Sequence, residues 1–495
     1  MPEKLSTLSP AEAWQPLPAR QWDEAAARHL FQRIGFSATP AETARALKDG
    51  LLPTLKRHFG QMPAFAKPKL IAELEADAPE LFRRMNRGDP EQKRLAAQDA
   101  RERSREALGD MTIRWLDQAS RPELSPAEKW LLFLSDVWVV SIEKVKNSAL
   151  IYQHQDLIRR FALGSAPNLA KAMSRSPAMI VYLDLQQSQR EAPNENFARE
   201  LFELFTLGEG HYTEADIKQA ARAFTGYRQR AGEFIYNPRQ HDSGRMTVFG
   251  HAGHYTGDDV IDLVFKQPAA GTFLPKEMVR FYLSDTPLPV AYTDALGAAW
   301  ARGGYSLGGL AAAFFGSRAF FAEEFRGNYI KGPVQFYLGL LQDLDLRVAP
   351  LPRRVLGALR QMGQMPFDPP NVRGWVGGRA WINSATLAVR HQVINALLSP
   401  LNEDALNGDE QHALANARTE GVTHFTLGPE QLKPLALLPS AQAAQQLLAR
   451  ALPGRPAEPF GSQLEKFLAR GGARPEAAVR AALSALLESP DYQLC

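Results

Sequence analysis

Glu195, Arg199, Glu200 and Glu203 lie three and four residues apart, so at about 100° per residue they share one side of a helix. Asn196 and Thr206 join that side, while Phe197, Ala198, Leu201, Phe202, Leu204 and Phe205 gather on the other. Carboxylates on one face can hold a cation or exchange protons with a substrate, and an arginine among them can orient an anion. His211 follows in the connection after Gly208, and His241 and Asp242 come one helix later. Packed back on one another, these consecutive elements would bring carboxylates, imidazoles and a guanidinium to one place. The plainer use of the same spacing is a solvated face with i,i+4 ion pairs at Glu195–Arg199 and Arg199–Glu203.

The elements that must position these groups are mostly helical. Amphipathic spacing predicts helices over 23–34 and 40–48, the second opening at Thr39-Pro40, an N-cap followed by an N1 proline. A charged stretch over 89–106 reads as an exposed, ion-paired helix face. Ser125-Pro126-Ala127-Glu128 has the form of a capping box and leads into a buried helix over 125–145. Helices follow over 148–162, 177–185, 193–207 and 214–225, the last framed by Thr213 and Asp216 as a capping box and by Tyr212 and Ile217 as a hydrophobic staple. The helical period then fails, and residues 233–236 and 246–249 read as two strands of one hairpin over about 232–250. Helices resume near residue 258. The stretch 366–381 is too rich in Pro, Gly and Trp to be helical, and rigid aromatic loops of this kind often line binding sites. The expected fold is therefore all-α with one small hairpin and one long irregular loop. Its organisation is a polar extension over 1–22, a main helical domain over 23–400 and a C-terminal helical region over 401–495 packed on it.

Composition narrows the function classes. With 57 basic and 54 acidic side chains, the chain has a formal net charge of +3, which gives no reason to expect a nucleic-acid partner. Cys495 is the one cysteine, so no intrachain disulfide can form. No apolar run is long enough for a membrane span, and the first twenty residues lack the apolar block of a secretory signal, so the expected setting is cytoplasmic. Zincin, P-loop, dinucleotide-fingerprint, EF-hand and Glu-x-x-His patterns are all missing. Gly304-Tyr305-Ser306-Leu307-Gly308 fits the nucleophile-elbow formula, but a helix precedes it and no parallel sheet is in prospect. Ser306 is expected instead to cap the helix that follows. His251 and His254 have a metal-ligand spacing, though two loop histidines are weak grounds for a site.

Several segments together resemble the signature of the bacterial family called domain of unknown function 1800. They are Asn194-Glu195-Asn196-Phe197-Ala198-Arg199-Glu200-Leu201, Leu207-Gly208-Glu209-Gly210-His211-Tyr212-Thr213, Ala223-Phe224-Thr225-Gly226, His241-Asp242 and Phe367-Asp368-Pro369-Pro370-Asn371-Val372-Arg373-Gly374-Trp375. Residues 29–36 resemble the family's opening helix, and Pro490-Asp491-Tyr492-Gln493-Leu494 its usual ending. The resemblance spans nearly the whole chain. It implies no known reaction. It does imply a setting, since many members look exported and are encoded beside a sulfatase-like family. Members commonly carry Trp-His-x-His where this chain reads Leu134-Ser135-Asp136-Val137, so any role of those histidines is lost or altered here.

Two readings of function follow. In the first, the protein is a metal-assisted hydrolase or related enzyme. Glu200, Glu203, Arg199 and His211 supply acid–base and orienting groups, and His241, Asp242 and Glu203 ligate a divalent metal. Asn194, Asn196, Arg373 and Trp375 then contact the substrate. Calcium or magnesium would suit the carboxylates, and a transition metal the imidazoles. In the second, the chain is a non-catalytic scaffold for a partner enzyme, such as the sulfatase-like protein, and the polar cluster is a network that fixes helix packing. A haem or redox role is a weaker third option, since no internal cysteine is available as a ligand.

Overall fold

A helix that is apolar on every side has to be surrounded, and the segment Trp130-Leu131-Leu132-Phe133-Leu134 makes Ser125–Val137 such a helix. All of its residues are buried in the computed structural model, which describes residues 3–87, 89–452, 460–471 and 475–495. The helices Glu24–Ile34, Leu51–Phe59, Pro90–Ser120, Ser148–Phe161 and Pro268–Tyr282 pack around it. Rings seal these contacts: Trp130 lies 6.3 Å from Phe59, and Phe133 lies 5.6 Å from Tyr282. A second almost fully buried helix, Pro333–Leu344, packs on Pro90–Ser120 and on Ser440–Ala451. One apolar cluster takes residues from Leu5 to Tyr492. Among the described residues no helix is long and apolar enough to cross a membrane.

The fold is all-α, as the spacing of apolar residues predicts, and three of the expected caps fall where the sequence puts them. Thr39 accepts from the Glu42 amide, Ser306 from the Gly309 amide, and Thr213 and Asp216 form a reciprocal box. Ser306 thus caps Leu307–Phe315, and the nucleophile-elbow pattern is a helix start. Helices Pro268–Tyr282 and Val290–Arg302 cross at two glycines. A Cβ on Gly297 would stand 2.4 Å from the Gly271 carbonyl oxygen, so the two backbones touch there.

Three expectations need correction. Ser125 does not form a capping box. Its hydroxyl donates to the Pro122 carbonyl, and Glu128 turns inward to Arg159. The helix expected over 125–145 ends at Val137, where the Trp138 carbonyl is taken by His154 Nε2 at 2.8 Å. A short extended stretch leads to a separate turn, Ile142–Val145, capped by Ser141.

Residues 233–236 and 246–248 do form strands, but not with each other. Glu233–Tyr236 pairs with Tyr227–Arg230, and Met246–Val248 pairs with His251–Gly253, giving two hairpins where one was expected. Each turns on two residues with positive φ, Ala231 (52°) and Gly232 (85°) in the first, Phe249 (50°) and Gly250 (78°) in the second. That backbone is what a two-residue hairpin loop requires, and the glycine in second place supplies half of it.

Candidate functional site

The helix carrying the carboxylates is not uniform. It runs as an α-helix over Asn196–Glu200 and widens to a π-helix over Leu201–Thr206. The Leu207 amide reaches back five residues to the Phe202 carbonyl, and the Thr206 hydroxyl donates to the Leu201 carbonyl. The wider turn rotates Thr206 off the polar face and into the core, where it is buried. Phe197, Phe202 and Phe205 hold the helix down, packing on Phe224, Phe249 and Trp138.

Two carboxylates remain on the outer face in unlike surroundings. Glu203 accepts from the Tyr212 hydroxyl at 2.7 Å and pairs with Arg373 at 3.0 Å. Arg373 also reaches Glu209 at 2.9 Å and is largely exposed. Glu200, one turn earlier and half-buried, has no such partner, and burial followed by the charge of Glu203 raises its proton affinity above the carboxylate norm. Behind it the Tyr182 phenol is pushed up to about 12 by burial, then by Glu200 and Asp368. Asp368 is itself raised, chiefly by burial, although Ser141 donates to it at 2.8 Å.

The loop over 366–381 supplies Arg373 and is fixed from beneath by Asp136. That buried carboxylate accepts from the Trp375 amide at 2.8 Å and pairs with Arg280 at 2.9 Å. Gly374, with φ 79°, presses on it so closely that a Cβ would stand 2.2 Å from Asp136 Oδ1. No other residue type fits there. Arg373 and Trp375 consequently point apart, the first outward to the carboxylates and the second into the core with 4% exposure.

The other candidates have separate engagements. Arg199 makes a two-pronged pair with Glu214 at 2.7 and 2.8 Å and a longer one with Glu195. Asn194 and Asn196 hold the start of the helix, bonding the Asn196 amide and the carbonyls of Asp184 and Leu183. His211 lies exposed in its turn. His241 is buried against Tyr236, with Nδ1 3.1 Å from the Thr225 carbonyl. Asp242 is bound by Arg222 at 2.6 Å, which together with the Gly244 amide lowers its proton affinity. His254 Nδ1 meets the Ser243 carbonyl, and His251 is exposed in a strand. Among the described residues no three of His, Cys, Asp and Glu are grouped so as to hold a metal ion.

Glu200, Glu203 and Arg373 are thus brought together, while His241 and Asp242 are held by Thr225 and Arg222 and His211 lies exposed in the turn before Tyr212. Sequence reasoning missed Tyr182, Asp368, Arg280 and Asp136. For Asp136 a signal existed: an acidic residue inside an otherwise apolar helix needs a partner. Over residues 29–494 the chain matches the family model described as "Protein of unknown function (DUF1800)". No curated protein and no solved structure matches it.

Proposed function

The chain belongs to the DUF1800 family, and from that premise we propose that its Glu200–Glu203–Arg373 face is the active site of a hydrolase working by paired acid–base catalysis. The observation that carries this reading is the contrast between two carboxyl groups one turn apart. Glu200 is half-buried, without a cation of its own, and retains its proton to a higher pH than an ordinary glutamate. Glu203 is ion-paired and hydrogen-bonded. Environments that separate two neighbouring carboxyls in this way divide the roles of acid and base between them.

In the reaction, Glu203 takes a proton from water as the oxygen attacks the scissile centre, and Glu200 gives its proton to the departing atom. The sum is one water split across one bond. Arg373, exposed and shared between two glutamates, exchanges Glu209 for an anionic group of the substrate. Metal assistance through His241, Asp242 and Glu203 has less support, because Arg222 occupies Asp242 and Arg373 occupies Glu203.

A panel of chromogenic esters, phosphoesters and glycosides tests the reading. In a substrate class that is turned over, Glu200→Gln and Glu203→Gln should each lower kcat/KM by about 10²–10⁴-fold. Their melting temperatures should change little, since glutamine keeps the shape of each side chain and an oxygen for the Tyr212 hydroxyl at position 203. Loss of turnover as pH rises through the Glu200 pKa should vanish in Glu200→Gln. Undiminished turnover in both variants would refute the assignment. Lowered melting temperature with no effect on any ligand is the result expected of a scaffold for a sulfatase-like partner.

A further inference from the structure

Beneath the 366–381 loop, on the side away from Glu203, lies a cavity walled by Phe36, Lys129, Arg280, Phe281, Gln364 and Trp375. We propose that it is a binding site for a short monocarboxylate, of the size of formate to propionate. This inference stands apart from the reading of Glu200 and Glu203.

Size sets the first limit. About 40 Å³ is open to the centre of a water-sized sphere, where about 10–15 Å³ suffices for one water. The space therefore takes a ligand of a few non-hydrogen atoms and excludes a long chain. The polar wall sets the second. The Trp375 indole N–H is buried and has no acceptor, and an indole can only donate. Gln364 spends its Oε1 on the Val334 amide at 3.0 Å, so what it offers a ligand is its NH₂ group.

Charge points the same way. Arg280 is matched by Asp136, whose two oxygens are taken by the Trp375 amide and Arg280, and by Glu277 outside the lining, while Lys129 lines the cavity with no carboxylate partner among the described residues. Burial pushes the Lys129 amine down to about 7. The Arg33 and Gly35 carbonyls and Gln335 Oε1, at 2.6, 2.9 and 3.0 Å, hold its protonated form. A lining with surplus donors and a surplus cation asks for an anionic acceptor. Phe36, Leu132 and Phe281 add apolar wall to the same cavity, which favours a carboxylate with a short alkyl end over an inorganic oxyanion.

The test is calorimetric titration of the full chain at pH 6, where Lys129 is protonated, with sodium acetate against sodium chloride at equal ionic strength. One saturable acetate site per chain is expected, with octanoate and sulfate failing to bind. Trp375→Phe keeps the ring and removes the N–H, and should weaken acetate about tenfold or more. Should that variant not fold, a crystal of the natural protein grown with and without acetate decides, by density between Phe281 and Gln364. Absence of a saturable acetate site, tight octanoate or sulfate binding, equal affinity in Trp375→Phe, or acetate density elsewhere would each overturn the proposal.

Discussion

Replacing Glu128 with alanine should cost about 3–5 kcal/mol of unfolding free energy, the loss typical of breaking a buried ion pair from one side. The carboxylate has no exposure, and four donors converge on it: both arms of Arg159 at 2.7 and 2.8 Å, the Trp115 indole at 2.9 Å and the Gln118 amide at 2.7 Å. Alanine removes the acceptor and leaves a guanidinium with a side-chain exposure of 12%, stacked at 5.6 Å on Phe65, without its counter-charge. The indole loses its only acceptor as well. Urea unfolding checks this: the midpoint should fall while the slope stays the same. Changing both partners, Glu128→Met with Arg159→Met, should restore much of the loss, since the cost lies in the orphaned charge and not in the missing pair. A single-variant loss under about 1 kcal/mol would mean that water reaches the site.

Asp136→Ala should be the next most damaging change, at about 2–4 kcal/mol, and it should also loosen the loop. Its carboxylate is the sole acceptor for the Trp375 amide and one of two acids on Arg280, the other being Glu277 at 2.8 Å. Asp136→Asn keeps an oxygen for the Trp375 amide and should cost less. Hydrogen exchange over residues 366–381 separates the two variants, with fast exchange expected in the alanine protein and near-native protection in the asparagine one. Because burial raises the proton affinity of Asp136, its contribution has a defined sign. The folded state binds that proton more tightly than the unfolded chain, so the associated stability is present at low pH and is lost as pH rises through the folded pKa. Arg373 rides on this loop. Any activity at Glu203 should therefore fall in Asp136→Ala as far as it does in Arg373→Ala.

How much of this was legible depends on range. Caps and apolar periodicity are local, and they located Thr39, Thr213 and Ser306 correctly. The hairpins failed because strand pairing was sought between the two apolar runs. The positive φ at Ala231 and Phe249 lies in turns whose first residue is not the usual Asn or Asp. The stop at Val137 depends on His154, sixteen residues beyond the Trp138 carbonyl it binds, and no local pattern announces it. The polar helix face was read as an unbroken α-helix, which placed Thr206 among the carboxylates. The π-turn removes it and leaves Glu200 and Glu203 exposed to different partners. Of the groups distant in sequence, Arg373 meets Glu203 on a loop bolted down by Asp136, whereas His241 is held by the Thr225 carbonyl. The Asp136 anchor showed in the sequence as an acid inside an apolar helix and as a departure from the family's Trp-His-x-His segment, but neither sign named Trp375 or Arg280 as its partners.

The division of labour between the two carboxyls rests on the proton affinity of Glu200. Carbon-13 NMR of protein labelled at the glutamate side-chain carboxyl, assigned with Glu200→Gln, measures it directly. The Glu200 resonance should titrate above the ordinary 4.5, and in Glu203→Gln it should move part of the way back, since the neighbouring charge is gone while the burial remains. A Glu200 that titrates as an ordinary exposed glutamate in both proteins would contradict the account.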